Sequence, residues 1–168
     1  MSLFGKTYNS FEDLFVGQIE DLYDAEHRII KALPKMIEAA SSPNLKQALQ
    51  MHLNETQQQV RRLESVFQQI NRTAERETCD AMKGLLSEAE EMISADAAPD
   101  VKDAALIAAA QRVEHYEISG YGTARTFAQR LDYTEAATLL QQTMQEEIAA
   151  DKKLTEIAES SVNVRAAR

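Results

Sequence analysis

The sequence has little of several residue types that shape other classes of protein. It contains one cysteine (Cys79), five glycines, three prolines and no tryptophan among 168 residues. A single cysteine excludes an intrachain disulfide and gives no sign of an oxidising compartment. So few glycines and prolines indicate few turns, and therefore long regular elements. No run of about 18 apolar residues occurs, so no membrane span is predicted.

Basic residues are fewer than acidic residues. Lys and Arg number 18 against 27 Asp and Glu, which gives a formal net charge of −9. Proteins that bind duplex nucleic acid carry a basic face, so nucleic-acid binding is not expected. The opening stretch MSLFGKTYNSFEDLF lacks the basic and apolar regions of a secretory signal, so a cytoplasmic protein is expected.

What the sequence does contain is helical periodicity. Apolar residues recur every three or four positions in four long segments, and a shorter segment of the same kind lies between the second and the third. Ser10 is placed to cap the first helix, and Asp132 with Glu135 predicts a capping box before the last. The pattern predicts no strands and five helices, at about 11–40, 43–71, 78–94, 100–131 and 134–161.

The connections predict how these helices are arranged. Short turns follow the first and the fourth helix, so each forms an antiparallel hairpin with its successor. The long connection over residues 72–99 can cross the whole length of a bundle, and it carries the short extra helix. The predicted fold class is all-α, a ferritin-like four-helix bundle with one long crossover, in a single domain over residues 1–168.

Acidic residues fall on helix faces that should be buried. At about 100° of rotation per residue, Glu26, Glu117 and Glu147 lie within the apolar stripes of the first, fourth and fifth helices. On the second helix Glu55 lies at the edge of the inward face, which carries His52, Thr56 and Gln59. The spacing also repeats, because 29 residues separate Glu26 from Glu55 and 30 separate Glu117 from Glu147.

Four buried carboxylates require something to neutralise them. Each ionised group costs several kcal/mol to bury, and mutual repulsion adds to that cost. The nearest basic residues (Arg28, Lys31 and Arg125) are expected mainly on outer faces, which leaves protonation or a divalent metal. Carboxylates from four helices of a bundle typically bind a pair of iron or manganese ions. The predicted metal ligands are Glu26, Glu55, Glu117 and Glu147, and residues completing the shell are Asp151, Glu114, Gln59 and His52.

The ligand pattern departs from the usual di-iron motif at two positions. That motif has a histidine three residues after a glutamate on two helices, whereas Gln58 follows Glu55 and Ala150 follows Glu147 at this spacing. His52, one turn before Glu55, could supply the nitrogen, or it could be a core-edge histidine bonded to Glu55 or Gln59. An oxygen-rich shell favours hard ions, so manganese remains an alternative to iron.

The remaining conspicuous side chains are given structural roles. Tyr23, Tyr116 and Tyr121 are expected near the bundle margin with their hydroxyls in water, although in a redox centre a tyrosine can carry an electron or hold a ligand. Asp24 is expected on the outer side of the first helix. Five of the six methionines are expected to fill the core, and they are Met36, Met51, Met82, Met92 and Met144.

Four stretches that include the predicted metal ligands resemble a known protein family. The stretches DLYDAEHRIIKALPKMIEAASSPNLKQAL, HLNETQQQVRRLE, DAALIAAAQRVEHYEISGYGTA and EEIAADKKLTEIA resemble the YciE/YciF family of bacterial ferritin-like stress proteins, and within it the YciE type. The resemblance implies a ferritin-like helical bundle, a di-iron site, association as homodimers and a link to general stress. It implies no established reaction.

Three functions of different classes are therefore open. The first is a metal-dependent protein that oxidises Fe(II) or consumes oxygen or peroxide, with two iron or manganese ions per chain. The second is a non-enzymatic dimeric stress protein with a vestigial metal site, which acts through a protein partner that the sequence does not identify. The third is protection of nucleic acid, which the net charge opposes.

Overall fold

Helices make up most of the structure, a computed structural model that describes residues 6–168. The first five residues, part of the predicted domain 1–168, lie outside the described range. Residues 6–168 contain no strand, which confirms the predicted all-α class, and none of their helices is long and apolar enough to cross a membrane. The elements are α1 (Phe11–Ala39), α2 (Pro43–Gln69), α3 (Asp80–Ser94), α4 (Pro99–Arg130), α5 (Thr134–Ile157), a π-helical turn (Ala158–Val162) and α6 (Asn163–Ala166).

The helix ends show which local signals the chain uses. The Ser10 hydroxyl accepts the N–H of Asp13 at 3.0 Å, as the capping pattern predicts. The capping box predicted at Asp132 is wrong, because Tyr133 is the N-cap residue of α5 and its side chain makes no capping bond. Asp132 instead has a φ of 61° in the tight turn that closes α4, a left-handed conformation that Asp tolerates better than most residues.

The helices pair as two antiparallel hairpins. α1 packs against α2 and α4 packs against α5, and the hairpins meet where α2 contacts α5 and α1 contacts α4. α3 lies in the crossover and covers α1 and α4 from outside. The turn between α1 and α2 is fixed from the other hairpin, because the buried Asp103 carboxylate accepts the N–H groups of Ser41 and Ser42, each at 2.7 Å.

The apolar core is divided into two halves. One half surrounds Leu33, Leu49 and Leu106, and the other surrounds Phe15, Phe67 and Leu140. Burying a side chain of this size contributes roughly 1.5–3 kcal/mol, so these halves hold the bundle together. A buried polar layer lies between them, and its side chains are Glu26, His52, Thr56, Gln59, Glu114, Glu117 and Glu147.

Candidate metal centre

Four buried side chains from three helices converge in the polar layer. His52 comes from α2, Glu114 and Glu117 from α4, and Glu147 from α5, and one ligand-capable atom of each lies within 4.8 Å of the others. Glu114 and Glu117 share a face because residues three apart on a helix are neighbours. His52 Nε2 lies 3.5 Å from Glu114 Oε1, and His52 Nδ1 lies 3.9 Å from Glu147 Oε2.

α1 adds Glu26 beside these four side chains. Glu26 is fully buried and contacts the carboxyl group of Glu117, and its Oε1 accepts a hydrogen bond from the Tyr121 hydroxyl. The expectation that Tyr121 lies at the margin with a wet hydroxyl is wrong. Tyr121 follows Glu117 by one helical turn, so it faces the same interior, and its side chain is fully buried.

Gln59 on α2 holds the carboxyl group of Glu147 by a hydrogen bond. Its amide nitrogen donates to Glu147 Oε1 and, at 3.2 Å, to Glu146 Oε2. Arg62, one turn further along α2, binds both oxygens of Glu146 at 2.9 Å. These contacts clamp α2 to α5 next to the site and limit how far Glu147 can rotate.

The polar layer is short of hydrogen-bond partners. Among residues 6–168 it contains eight buried side-chain atoms that find no hydrogen-bond partner while the carboxyl groups are ionised: Glu26 Oε2, both His52 ring nitrogens, Gln59 Oε1, Glu114 Oε2, both Glu117 oxygens and Glu147 Oε2. Folded proteins pair about 90% or more of such atoms, and each one left unpaired costs about 1–3 kcal/mol. So many in one layer indicate that the layer is shaped to bind something.

Burial and mutual repulsion dominate the titration of these groups. Burial, followed by the charge of Glu147, raises the pKa values of Glu26, Glu114 and Glu117 well above the usual range. Burial likewise raises the pKa of Glu147 to about 7. Burial lowers the pKa of His52 to about 4, so its imidazole is neutral at pH 7 and can act as a ligand. Without a cation, the layer must hold protons instead.

The residues present fit a divalent transition-metal ion. Four donors bound to one ion at about 2.0–2.2 Å lie roughly 3–4.4 Å from one another, so side-chain shifts of up to about 1.5 Å from the observed spacing would bring these atoms onto one ion. One imidazole nitrogen among several carboxylates is a donor set that suits iron or manganese. Six of the eight unpartnered atoms belong to the four converging side chains.

Two of the predicted ligands, Glu55 and Asp151, lie outside the polar layer. Glu55 is only half-buried, and burial together with the charge of Glu146 raises its pKa. It is rotated by about 60° from His52 around α2, so it turns towards α5 rather than α4. Asp151 turns towards α4, where it accepts from Gln111 at 2.9 Å and lies 3.3 Å from the ring of His115.

A second buried carboxylate, Asp24, is also on α1, although it was predicted on the outer side. The prediction is wrong because the connection between α2 and α3 folds back over this face and brings Arg76 and the N–H of Cys79 onto the carboxylate, where Arg28 also binds it. Burial alone would raise the pKa of Asp24, but these three donors outweigh it and lower the pKa. Asp24 therefore forms structural ion pairs with Arg28 and Arg76.

Residues 10–167 match the family described as a domain of unknown function, DUF892. The chain is 46% identical to protein YciF of Escherichia coli K12 over 158 residues, which covers 94% of this chain and 95% of the relative. The expected YciE type is therefore wrong, and the similarity is to YciF.

Solved structures give the same picture of the fold. The crystal structure of the E. coli stress protein YciF superposes with a TM-score of 0.90 at 45% identity, over 93% of this chain and 99% of that one. YcfI of Rhodopseudomonas palustris, provisionally described as a structural protein, has a TM-score of 0.87 at 42% identity, over 91% and 98%. A Xanthomonas campestris protein at 21% identity and a TM-score of 0.72, covering 92% of this chain and 94% of its own, shares the fold.

Proposed function

This chain belongs to the DUF892 family and is a relative of the stress protein YciF, and we propose that its bundle core binds divalent metal ions, with iron as the expected ion and manganese as the alternative. The observation that carries the proposal is the set of eight unpartnered buried atoms in the polar layer. Every helix of the four-helix bundle contributes to it, and the atoms are those that ligate iron and manganese in proteins.

Each side chain has a separate role in this proposal. His52, Glu114, Glu117 and Glu147 hold the first ion, because their ligand atoms already lie closest together. Glu26 extends the site to a second ion, since it contacts Glu117 and keeps one oxygen free. Gln59 orients Glu147, and Tyr121 orients Glu26. Two ions per chain would then be held by these five side chains.

The reaction expected of an iron-loaded site is oxidation of Fe(II) by oxygen or peroxide. Bound iron would supply electrons to such an oxidant. The protein's own contribution is to hold the carboxylates ionised around the ion, to keep the His52 imidazole neutral, and to exclude bulk water with the two apolar halves of the core. With hydrogen peroxide as the oxidant, two Fe(II) ions would reduce it to water, and this removal of peroxide would connect the reaction to the stress-protein relatives.

Stopped-flow oxidation of anaerobically loaded Fe(II) protein tests this activity. Wild-type protein should oxidise Fe(II) faster than free Fe(II) in the same buffer when mixed with oxygen or hydrogen peroxide. His52→Ala should lose the acceleration, whereas Glu55→Gln, one turn away on the same helix and outside the converging group, should retain it. Equal rates with and without protein would refute the catalytic part of the proposal while leaving metal binding open to direct measurement.

A non-enzymatic role is the second candidate. The provisional description of the R. palustris relative as a structural protein favours it, and raised carboxyl pKa values allow the layer to stay protonated and metal-free. In that case the chain would act through a protein partner, and it would retain no stoichiometric metal after loading. Retained metal that disappears with the ligands would eliminate this candidate.

Homodimer formation in the cytoplasm completes the proposal. The support is the resemblance to the YciE/YciF family. Light scattering coupled to size-exclusion chromatography measures the state directly. A mass of one chain at micromolar concentration would contradict a stable dimer.

A further inference from the structure

A pocket of about 330 Å³ opens between α2 and α5 and leads from the surface to the candidate metal centre. Its walls are mainly apolar, with Ala48, Leu49 and Met51 on α2 and Ala149, Ala150 and Leu154 on α5. The side chains of His52 and Glu114 also line it, and both belong to the group of converging ligands. Nothing in the metal-binding role requires an apolar pocket of this size.

Small residues create this pocket. Ala150 lies three residues after Glu147, the position at which the usual di-iron motif has a histidine, and Ala48 lies on the opposite wall. Met51 was predicted to fill the core, but that prediction is wrong, because its side chain is 54% exposed on the wall of the pocket. The space that a larger side chain at position 150 would occupy is part of the pocket.

We propose that the pocket binds a small neutral organic molecule that has an apolar body and one hydroxyl-like polar end, with that end directed to His52 and Glu114. As a statement about the substrate of the metal centre this rests on the proposed function, but binding itself does not. The pocket is built for a ligand, because His52 is only 5% exposed and both of its ring nitrogens lack protein partners. A hydroxyl group can donate to one such atom and accept from another.

Size and charge narrow the class of ligand. An engineered apolar cavity of about 150 Å³ binds benzene, so this pocket has room for roughly two fused rings or a short branched chain. The charged side chains that line the pocket are Glu55, Glu114, Glu146 and Lys153, and Glu146 is already paired with Arg62. A charged end of either sign would lose its water against the mainly apolar walls, whereas a neutral hydroxyl loses much less.

Fluorescence titration with 2-naphthol tests the proposal. The chain has no tryptophan, so the probe can be excited apart from protein fluorescence. The metal-free wild-type chain should bind one 2-naphthol. Ala150→Phe and Ala48→Phe fill the pocket from opposite walls, and each should weaken binding by about tenfold or more. The matched control is Ala81→Phe, at an exposed position on α3, which should bind as the wild type does.

Several results of the same titrations would overturn the pocket proposal. Absence of 2-naphthol binding, binding unchanged in both pocket variants, or 2-naphthoate binding as tightly as 2-naphthol would overturn the proposal. Binding that appears only on dilution of a self-associated chain would also overturn it, because a second copy would then be the occupant of the pocket.

Metal content separates this proposal from the proposed function. Ala150→Phe leaves all five proposed ligands in place, so it should retain as much metal as wild type while losing 2-naphthol. In the wild type, retained metal without 2-naphthol binding would overturn the pocket proposal alone. Binding of 2-naphthol by a chain that retains no metal under any condition would remove the proposed function and leave the pocket as an independent ligand site.

Discussion

Asp24 and the polar layer are both places where the bundle buries negative charge, and they differ in what surrounds that charge. Asp24 receives hydrogen bonds from Arg28, Arg76 and the backbone N–H of Cys79. Among the described residues, no Lys or Arg side chain forms an ion pair with the carboxyl groups of the layer, and Arg62 binds the neighbouring Glu146 instead. The pKa of Asp24 is accordingly lowered, whereas those of Glu26, Glu114 and Glu117 are raised.

This difference separates structural from functional burial of an acid. A carboxylate buried for the sake of the fold is supplied with donors by the fold itself, as Asp24 is. A group of carboxylates whose oxygens face one another is a cost to the fold unless something else neutralises it. Changes to the polar layer and changes to Asp24 should therefore affect stability in different ways.

Metal loading should produce the largest effect, and only in the polar layer. A ligand present at a thousand times its dissociation constant stabilises the folded state by about 4 kcal/mol, which corresponds here to a rise in melting temperature of about 10 °C. Differential scanning calorimetry with and without Mn(II) measures this rise. Asp24→Ala should show the same rise from a lower starting temperature, and a rise that survives in Glu117→Ala/Glu147→Ala would show that metal binds elsewhere.

Asp24→Ala should give the next largest effect. This change leaves the buried N–H of Cys79 without an acceptor and removes the ion-pair partner of Arg28 and Arg76, which are 29% and 37% exposed, so the free energy of unfolding should fall by about 2 kcal/mol. Urea denaturation of the metal-free chain is the measurement, with Asp96→Ala at an exposed position as the control. A loss no larger than that of the control would mean that the Asp24 contacts contribute little to stability.

Glu117→Leu should have a smaller effect of the opposite sign. Both oxygens of Glu117 are buried without partners, so replacing this side chain in the metal-free protein should raise the free energy of unfolding by about 1 kcal/mol. The same urea experiment measures it. If the metal-free Glu117→Leu variant instead loses stability, as Asp24→Ala is expected to, the Glu117 carboxyl group stabilises the metal-free fold.

The response to pH should be the smallest effect. Folded-state pKa values above the unfolded ones mean that the folded chain binds more protons, so the layer destabilises the metal-free protein increasingly as pH rises from 5.5 to 8. His52 opposes this below its unfolded value of 6.5, because its folded pKa is about 4. The melting temperature of metal-free protein should therefore be moderately higher at pH 5.5 than at pH 8.

Asp24 provides the internal reference for that pH experiment. Its folded pKa is lowered, so its stabilising contribution is complete above the unfolded value of 3.8 and is lost only as pH falls below it. The destabilisation caused by Asp24→Ala should therefore be the same at pH 5.5 and pH 8. A melting temperature of the wild type that increases towards pH 8 would contradict the assigned protonation of the layer.

The sequence predicts the fold well because apolar periodicity and connection length are local signals. The same periodicity places Glu26, Glu117 and Glu147 on buried faces, where the structure has them. It does not decide between His52 and Glu55, which lie three residues apart, because a small change in helix phase exchanges their directions.

Other features depend on contacts that helical periodicity does not describe. Asp24 is buried by Arg76, which comes from an irregular segment whose path the sequence pattern leaves undefined. Asp103 binds the turn of the other hairpin, so its role requires the tertiary arrangement. The general preference of tyrosine for keeping its hydroxyl in water predicts Tyr121 at the margin of the bundle. In the structure the Tyr121 hydroxyl instead donates a hydrogen bond to Glu26 inside the core.

Metal analysis of purified protein tests the central claim most directly. The wild type and Glu117→Ala/Glu147→Ala are loaded anaerobically with Fe(II) or Mn(II), desalted and analysed for metal, with Glu55→Gln as the control. The proposed site predicts about two ions per chain in the wild type and in Glu55→Gln, and none in the double variant. Absence of retained metal in all three proteins would contradict the claim, and the unpartnered carboxyl groups would then be a protonated relic of a metal site.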